Sequence, residues 1–353
     1  MDGGMANDHQ LSRHGAKSLP AAMVENYNLD IKRQGEILNL RVRKGAFYEK
    51  IDNIRQDLTK FAADPLGDLP SADLSKKQLG AMLNGDDVHS AAIVQAAIDQ
   101  FATDIADVLS CYLKDKGWLG VERITIGGGF REGVVGERTI AATSIRLRAQ
   151  EIKVELLPIR HHPDEAGLIG ALHLMPSWMF AGHDAILAAD IGGSNIRAGV
   201  VLPRLKDAKD LSNATVWKSD LWRHADEDVE RKDAVDWLID ALREFVSRAG
   251  KEGLSLAPFI GIGCPGVIEA DGTISRGGMN LPGGNWDDKR FNLPKVIASA
   301  IPKIGDHDTV VVMHNDAVVQ GMSQRPFMSD VKRWAVITIG TGLGNASFTN
   351  IAE

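Results

Sequence analysis

Two stretches of this chain each drive an apolar β run into a turn made of glycine and hydroxyl residues. The first reads Asp190-Ile191-Gly192-Gly193-Ser194-Asn195 and continues as Ile196-Arg197-Ala198-Gly199-Val200-Val201. The second reads Ile337-Thr338-Ile339-Gly340-Thr341-Gly342-Leu343-Gly344-Asn345-Ala346. Turns of this kind bare backbone N–H groups that can converge on an anion, although a glycine turn between strands is often a plain hairpin. A third run, Val310 through Met313, ends in His314-Asn315-Asp316-Ala317. It brings a carboxylate to the carboxyl end of a buried strand, where α/β sheets present their ligands. Two anion-type turns and a carboxylate able to take a proton are the parts that phosphoryl transfer requires.

The rest of the chain reads as α/β. Strands recur at 123–126, 154–158, 186–189, 197–202, 259–264, 310–313 and 335–339, with helical patterns between them. At 46–60 the apolar residues Phe47, Ile51, Ile54 and Leu58 share one face, and at 90–113 Val94, Ile98, Phe101, Ile105, Val108 and Tyr112 do so. A third helix pattern covers 231–249. Residues 1–30 read as loop, and 63–87, with Pro65, Gly67, Pro70, Gly80 and Gly85, as a connector holding one small helix. A length of 353 residues exceeds one small core and suggests two domains. The 44% hydrophobic and 25% charged content excludes a disordered chain, and the net charge of −7 gives no electrostatic reason to expect nucleic acid. Cys111 and Cys264 offer no disulfide framework. No apolar run approaches membrane length and residues 1–10 are polar, so the expected location is the cytoplasm, with no membrane partner.

The ordered segments resemble the ROK sugar kinases (repressors, open reading frames and kinases) of the hexokinase, actin and heat-shock ATPase superfamily. Residues 190–200 are similar to the first phosphate hairpin, and Gly261-Ile262-Gly263-Cys264-Pro265-Gly266 to the strand and turn that lead to the sugar. Met279-Asn280-Leu281-Pro282-Gly283 resembles the sugar loop, His314-Asn315-Asp316-Ala317 the catalytic segment, and 338–345 the second phosphate hairpin. The glycine run Gly127-Gly128-Gly129 and the segment 163–171 resemble the family's adenosine turn and closing helix, yet here they precede the first hairpin. The bland reading of that run is an ordinary strand-to-turn signal. The order implies a circularly permuted, two-lobed actin-like (ribonuclease-H-like) fold with a mixed sheet in each lobe. Residues 1–183 with 325–353 would form the nucleotide-side lobe, and 184–324 the sugar-side lobe.

The resemblance implies ATP-dependent phosphorylation of a hexose hydroxyl, with a sugar and ATP as small-molecule partners and room for a homodimer. Asp316 would be the general base; its bland alternative is a cap on the helix that follows. Asn315 and Asn280 would hydrogen-bond sugar hydroxyls, although Asn280 also suits a turn. Arg276 and Trp286 flank that loop and read more simply as a solvated and a buried residue. Asp190 would hold Mg²⁺ through water. Gly192, Gly193, Ser194, Asn195, Gly340, Thr341, Gly342 and Gly344 would cradle phosphate, with Arg197 either reaching phosphate or facing solvent. Gly127, Gly128 and Gly129 would admit adenosine.

The chain departs from the family in one place. The family's Gly-Glu-X-Gly-His segment and zinc-binding cysteine cluster have no counterpart, so no structural zinc is expected. The nearest candidate for the sugar-contacting histidine is His14, otherwise a surface-loop residue. His161-His162-Pro163-Asp164-Glu165 invites a metal reading, but Asp164 suits a helix N-cap better. Two alternatives stay open: a non-catalytic sugar-responsive binding protein, and a kinase that uses polyphosphate.

Overall fold

The structure, a computed structural model, describes residues 13–60, 63–278 and 281–351. From its N-terminal side the chain forms β1 (Ala22–Tyr27), α1 (Lys44–Leu58), α2 (Lys76–Asn84), α3 (Val88–Tyr112), β2 (Arg123–Gly127), α4 (Gly133–Ala149), β3 (Glu155–Pro158) and α5 (Pro163–Gly170). It continues with β4 (Ala185–Ile191), β5 (Ile196–Leu202), β6 (Thr215–Trp222), α6 (Arg231–Lys251), β7 (Leu256–Cys264), α7 (Leu293–Ala300) and β8 (Val310–Asn315). Then come α8 (Asp316–Met322), β9 (Arg333–Ile339) and β10 (Leu343–Asn350).

These strands make two five-stranded mixed sheets, ordered β8-β7-β4-β5-β6 and β1-β10-β9-β2-β3. Both follow one plan. A hairpin of consecutive strands, β4-β5 or β9-β10, is antiparallel, and an antiparallel strand (β6 or β1) flanks its second member. Two parallel strands, β7 and β8 or β2 and β3, continue from its first member. The sheets differ in where their strands come from. The first draws on one continuous stretch of chain, whereas in the second β9 pairs with β2, Trp334 lying opposite Arg123 and Thr338 opposite Gly127.

Burial explains the elements. Strand β4 is buried at all seven positions, as expected of a central strand covered on both faces. Helix α3 buries the stripe from Val94 to Tyr112 and is capped by Asp87, whose side chain accepts from the His89 N–H. On the α1–α4 side, Phe101 meets Phe47 and Phe130 edge to face at 5.6 and 4.9 Å. Truncating Phe101 to alanine should cost about 3–5 kcal/mol. A hydrophobic cluster with Leu168, Leu172, Val318, Met322, Trp334 and Phe348 joins residues of both sheets. Helices α5 and α8 pack on each other there, and α8 touches strands of both sheets.

The structure departs from the sequence expectation in several places. Strand β1 lies within the expected N-terminal loop, where the alternation of buried Ala22 and Val24 with exposed Met23 and Glu25 marks a half-buried strand. Strands β6 and β10 also went unanticipated. Helix α5 and the turns after it, through Phe180, pack on the β4–β7 side rather than with the rest of the segment up to 183. Phe180 meets Phe259 at 5.8 Å, and Leu168 and Leu172 share their cluster with Ile186. The cap of α5 is His162, whose side chain accepts from the Asp164 N–H, so Asp164 is free for another partner. Among the described residues no helix is long and apolar enough to cross a membrane.

Candidate active site

Strands β4, β7 and β8 are parallel neighbours, so their carboxyl ends share one edge, with Asp190 beside Gly263 and Gly263 beside His314. Asp190 is the penultimate residue of β4 and Asp316 opens α8, with Gly263 between them. A Cβ on Gly263 would lie 3.3 Å from Asp190 Oδ1 and 3.6 Å from Asp316 Cα. Burial pushes the Asp316 carboxyl up to about 7, and the negative charge of Asp190 adds to the effect. Burial also raises Asp190, while the nearby Arg197 guanidinium opposes that rise.

Asp190 is held from two sides. One carboxylate oxygen stands 3.5 Å from Arg197 Nη1, and the other, Oδ1, is buried without a protein partner among the described residues. Helix α5 crosses directly over it: a Cβ at Gly167 would fall 2.4 Å from the carboxylate carbon, so only glycine leaves the group room. Arg197 is fixed in turn by Asp164, which accepts from its Nε at 2.9 Å. Arg197 therefore neither reaches out to solvent nor stands in the turn. A single carboxylate with one unpartnered oxygen fits Mg²⁺ held through water, since Mg²⁺ keeps most of its hydration shell. No cluster of three ligating side chains occurs among the described residues.

Asn315 is fully buried, and its amide is engaged within the protein. Its Oδ1 accepts from the Ala317 and Val318 N–H groups, capping α8 at 3.0 and 3.3 Å. The capping role is thus filled by Asn315, and Asp316 is left free of it. Asn315 Nδ2 shares its two hydrogens among Asp316 Oδ1 at 3.0 Å, the Gly266 carbonyl at 3.1 Å and, at the longest distance, Asn28 Oδ1 at 3.3 Å. Asn315, expected to hydrogen-bond a sugar hydroxyl, is here hydrogen-bonded to the Asp316 carboxylate.

The two glycine turns face each other. In the first, the Gly192 N–H donates to the Asn195 carbonyl at 2.8 Å, and His224 Nε2 lies 2.9 Å from the Gly192 carbonyl. In the second, the Gly340 N–H donates to the Gly342 carbonyl at 3.0 Å, while the Lys44 N–H at the start of α1 donates to the Gly340 carbonyl at 2.8 Å. Ser194 Oγ and Thr341 Oγ1 are 2.6 Å apart, bringing the turns into contact. Gly342 has open space where a Cβ would stand, whereas Gly344 is a ladder residue opposite Thr338, and its Cβ would lie 3.2 Å from Ala317 Cβ. Gly127 ends β2, and Gly129 begins the turn Gly129–Arg131. Between them Gly128, at φ +81, rests on the Ile339 backbone, where a Cβ would come 2.4 Å from the carbonyl oxygen. The glycine run therefore abuts the second turn.

His14 stands elsewhere. Its Nδ1 accepts from the Met313 N–H at 3.1 Å, strapping the N-terminal segment to the edge of β8. Burial lowers its pKa, and the charges around it are Asp271 and Lys295. Asn280 lies outside the described residues. Nearby, Trp286 is a core residue that donates to the Pro282 carbonyl at 2.7 Å, and Arg276 is exposed. Between this loop and the first turn lies a cavity of about 230 Å³ lined by Gly193, His224, Glu227, Asp228, Leu281 and Pro282. Sequence reasoning missed His224, Gly167 and Asn28. Of these only Gly167 left a trace, the small-residue spacing Gly167-x-x-Gly170.

No family model matches the sequence, and no curated protein does. Among solved structures, the chain is similar to Lmo2764 of Listeria monocytogenes, assigned as an N-acetylmannosamine kinase, at 22% identity over 47% of each chain and a TM-score of 0.33. It is similar to an assigned sugar kinase from Cytophaga hutchinsonii at 20% identity over 47% of this chain and 48% of that one, with a TM-score of 0.35. For the ROK hexokinase from Thermus thermophilus the identity is 19% over 46% of this chain and 45% of that one, with a TM-score of 0.30. The chain thus spans about half the length of these three solved structures.

Proposed function

We propose that this protein is an ATP-dependent sugar kinase of the ROK type, phosphorylating a hydroxyl of a hexose. The observation that carries the reading is the pair Asp190 and Asp316 on either side of Gly263, at the edge where two glycine turns meet through Ser194 and Thr341. In the reaction Asp316 accepts the proton of the sugar hydroxyl, whose oxygen forms a bond to the γ-phosphorus. The bond from that phosphorus to the bridging oxygen breaks, and ADP leaves. A carboxyl poised near 7 suits a base working at neutral pH. Asn315 fixes the carboxylate, and the backbone N–H groups at 193–195 and 341–342, those of the two turns not spent within them, hold the phosphate oxygens. Mg²⁺, bound by Asp190 through water, would neutralise charge on the donor oxygens. Closure of two lobes over the substrates would exclude water and limit ATP hydrolysis.

The same reading takes the chain as a circular permutation of the two-lobed actin-like fold, with 184–324 on the sugar side, joined there by α5 and the turns through Phe180, and the remaining segments on the nucleotide side. In its support, the second sheet repeats the connectivity of the first once β1 is taken to follow β10. The two strands are antiparallel neighbours, and the Ile351 N–H donates to the Ala21 carbonyl at 3.3 Å. A panel of hexoses and amino sugars assayed with ATP and Mg²⁺, and in parallel with polyphosphate, tests the activity. Phosphotransfer to a hexose from ATP is expected. Sugar binding without turnover from either donor would point instead to a sugar-responsive binding protein.

A further inference from the structure

We infer that Asn28, contributed by the sheet opposite Asp316, binds a sugar hydroxyl next to the one that is phosphorylated. The inference rests on the sugar-kinase reading and adds a residue for which no sequence signal was found. Strand β1 contains a bulge between Val24 and Asn26 and delivers Asn28 just past its end. There Asn28 adopts φ +53, in the left-handed region that asparagine tolerates better than most residues. The conformation is anchored by Asn345, which is fully buried. The Asn28 N–H donates to its carbonyl at 3.1 Å, and the Leu29 N–H donates to its Oδ1 at 2.9 Å. On the other side, the ring of Tyr27 packs edge to face on His314 at 5.6 Å, holding the end of β1 against the end of β8.

This anchoring brings the Asn28 side chain to the reacting carboxylate. Its Oδ1 accepts from Asn315 Nδ2, and that same nitrogen donates to Asp316 Oδ1 at 3.0 Å. Asn28 Nδ2 has no protein acceptor among the described residues, and the side chain is only partly buried. Asn315 has no such donor to spare, so Asn28 is the carboxamide beside Asp316 that can donate to a ligand. A neutral donor beside a proton-accepting carboxylate suits two neighbouring hydroxyls of a sugar ring, one bound by each side chain.

The test is steady-state kinetics at about pH 8.5 with ATP and a hexose that the wild type turns over, on Asn28→Gly and Asn28→Asp. Glycine takes up the left-handed backbone without strain, and aspartate tolerates it while keeping the acceptor that Asn315 uses. Melting temperatures identify any variant that has lost the fold, and Asn28→Asp decides if Asn28→Gly has. Both should raise the sugar KM about tenfold while leaving the ATP KM within about twofold. A merely structural Asn28 would be preserved by aspartate, so an unchanged sugar KM in Asn28→Asp overturns the inference and leaves the kinase reading intact. A wild type that turns over no hexose overturns the kinase reading and this inference with it.

Discussion

Asp316 combines a raised carboxyl with a position that a base requires, and its chemistry fixes two pH dependences. As the base it must be ionised, so kcat/KM should rise with pH through about 7, and a profile flat from pH 5.5 to 8.5 would exclude that role. The linked stability effect has the opposite sense. The folded pKa lies above the ordinary carboxyl value, so the folded state holds the proton more tightly, and stability falls as pH rises from about 4 through about 7. Asp316→Asn escapes this loss. Its advantage over wild type in denaturant unfolding should grow between pH 5 and pH 8 by on the order of 2 kcal/mol. A difference independent of pH would show that the carboxyl is not perturbed. Asp316 was legible in the sequence because the apolar run Val310 to Met313 announces the strand end it follows. The role of Asn315 was not, because its partners Gly266 and Asn28 lie 49 and 287 residues away.

At the level of elements, the two glycine turns and α5 carry separable predictions. Gly342 stands in open space, so Gly342→Val should fold normally and obstruct phosphate approach. The ATP KM should rise about tenfold with sugar affinity intact, as measured by titrating the two substrates separately; equal loss of both would indicate a folding defect instead. Gly167→Ala should drive α5 against the Asp190 carboxylate and raise the Mg²⁺ concentration needed for half-maximal activity. An unaltered Mg²⁺ titration in that variant would remove Asp190 from the metal's support. The strands visible in the sequence are mostly those with near-continuous apolar runs, such as β4, β7 and β9, because both of their faces are covered. Strand β6 was missed because it is a largely exposed edge. Strand β10 was missed because a central position is filled by small and polar residues. Asn345 there donates to the Leu29 carbonyl and to the Tyr112 hydroxyl, partners remote in sequence.

At the scale of the molecule, the two sheets share a strand plan that the chain traverses from different starting points. If that order reflects permutation, joining 351 to 13 through a flexible linker and opening the chain at Gly182, an exposed residue at φ +85, should preserve the fold. The rearranged protein should melt within a few degrees of the original, and one that fails to fold would contradict an interchangeable order. Motif order alone pointed to this arrangement, whereas the packing of α5 and Phe180 against the β4–β7 side depends on contacts between the sheets that no local pattern encodes. Phosphotransfer from Mg-ATP to hexoses by wild type and Asp316→Asn, with sugar binding measured alongside, bears on the whole reading at once. The wild type should phosphorylate at least one hexose. The variant should lose about a hundredfold or more in kcat while sugar binding weakens less than tenfold. A folded Asp316→Asn protein that turns over within about threefold of wild type would contradict it.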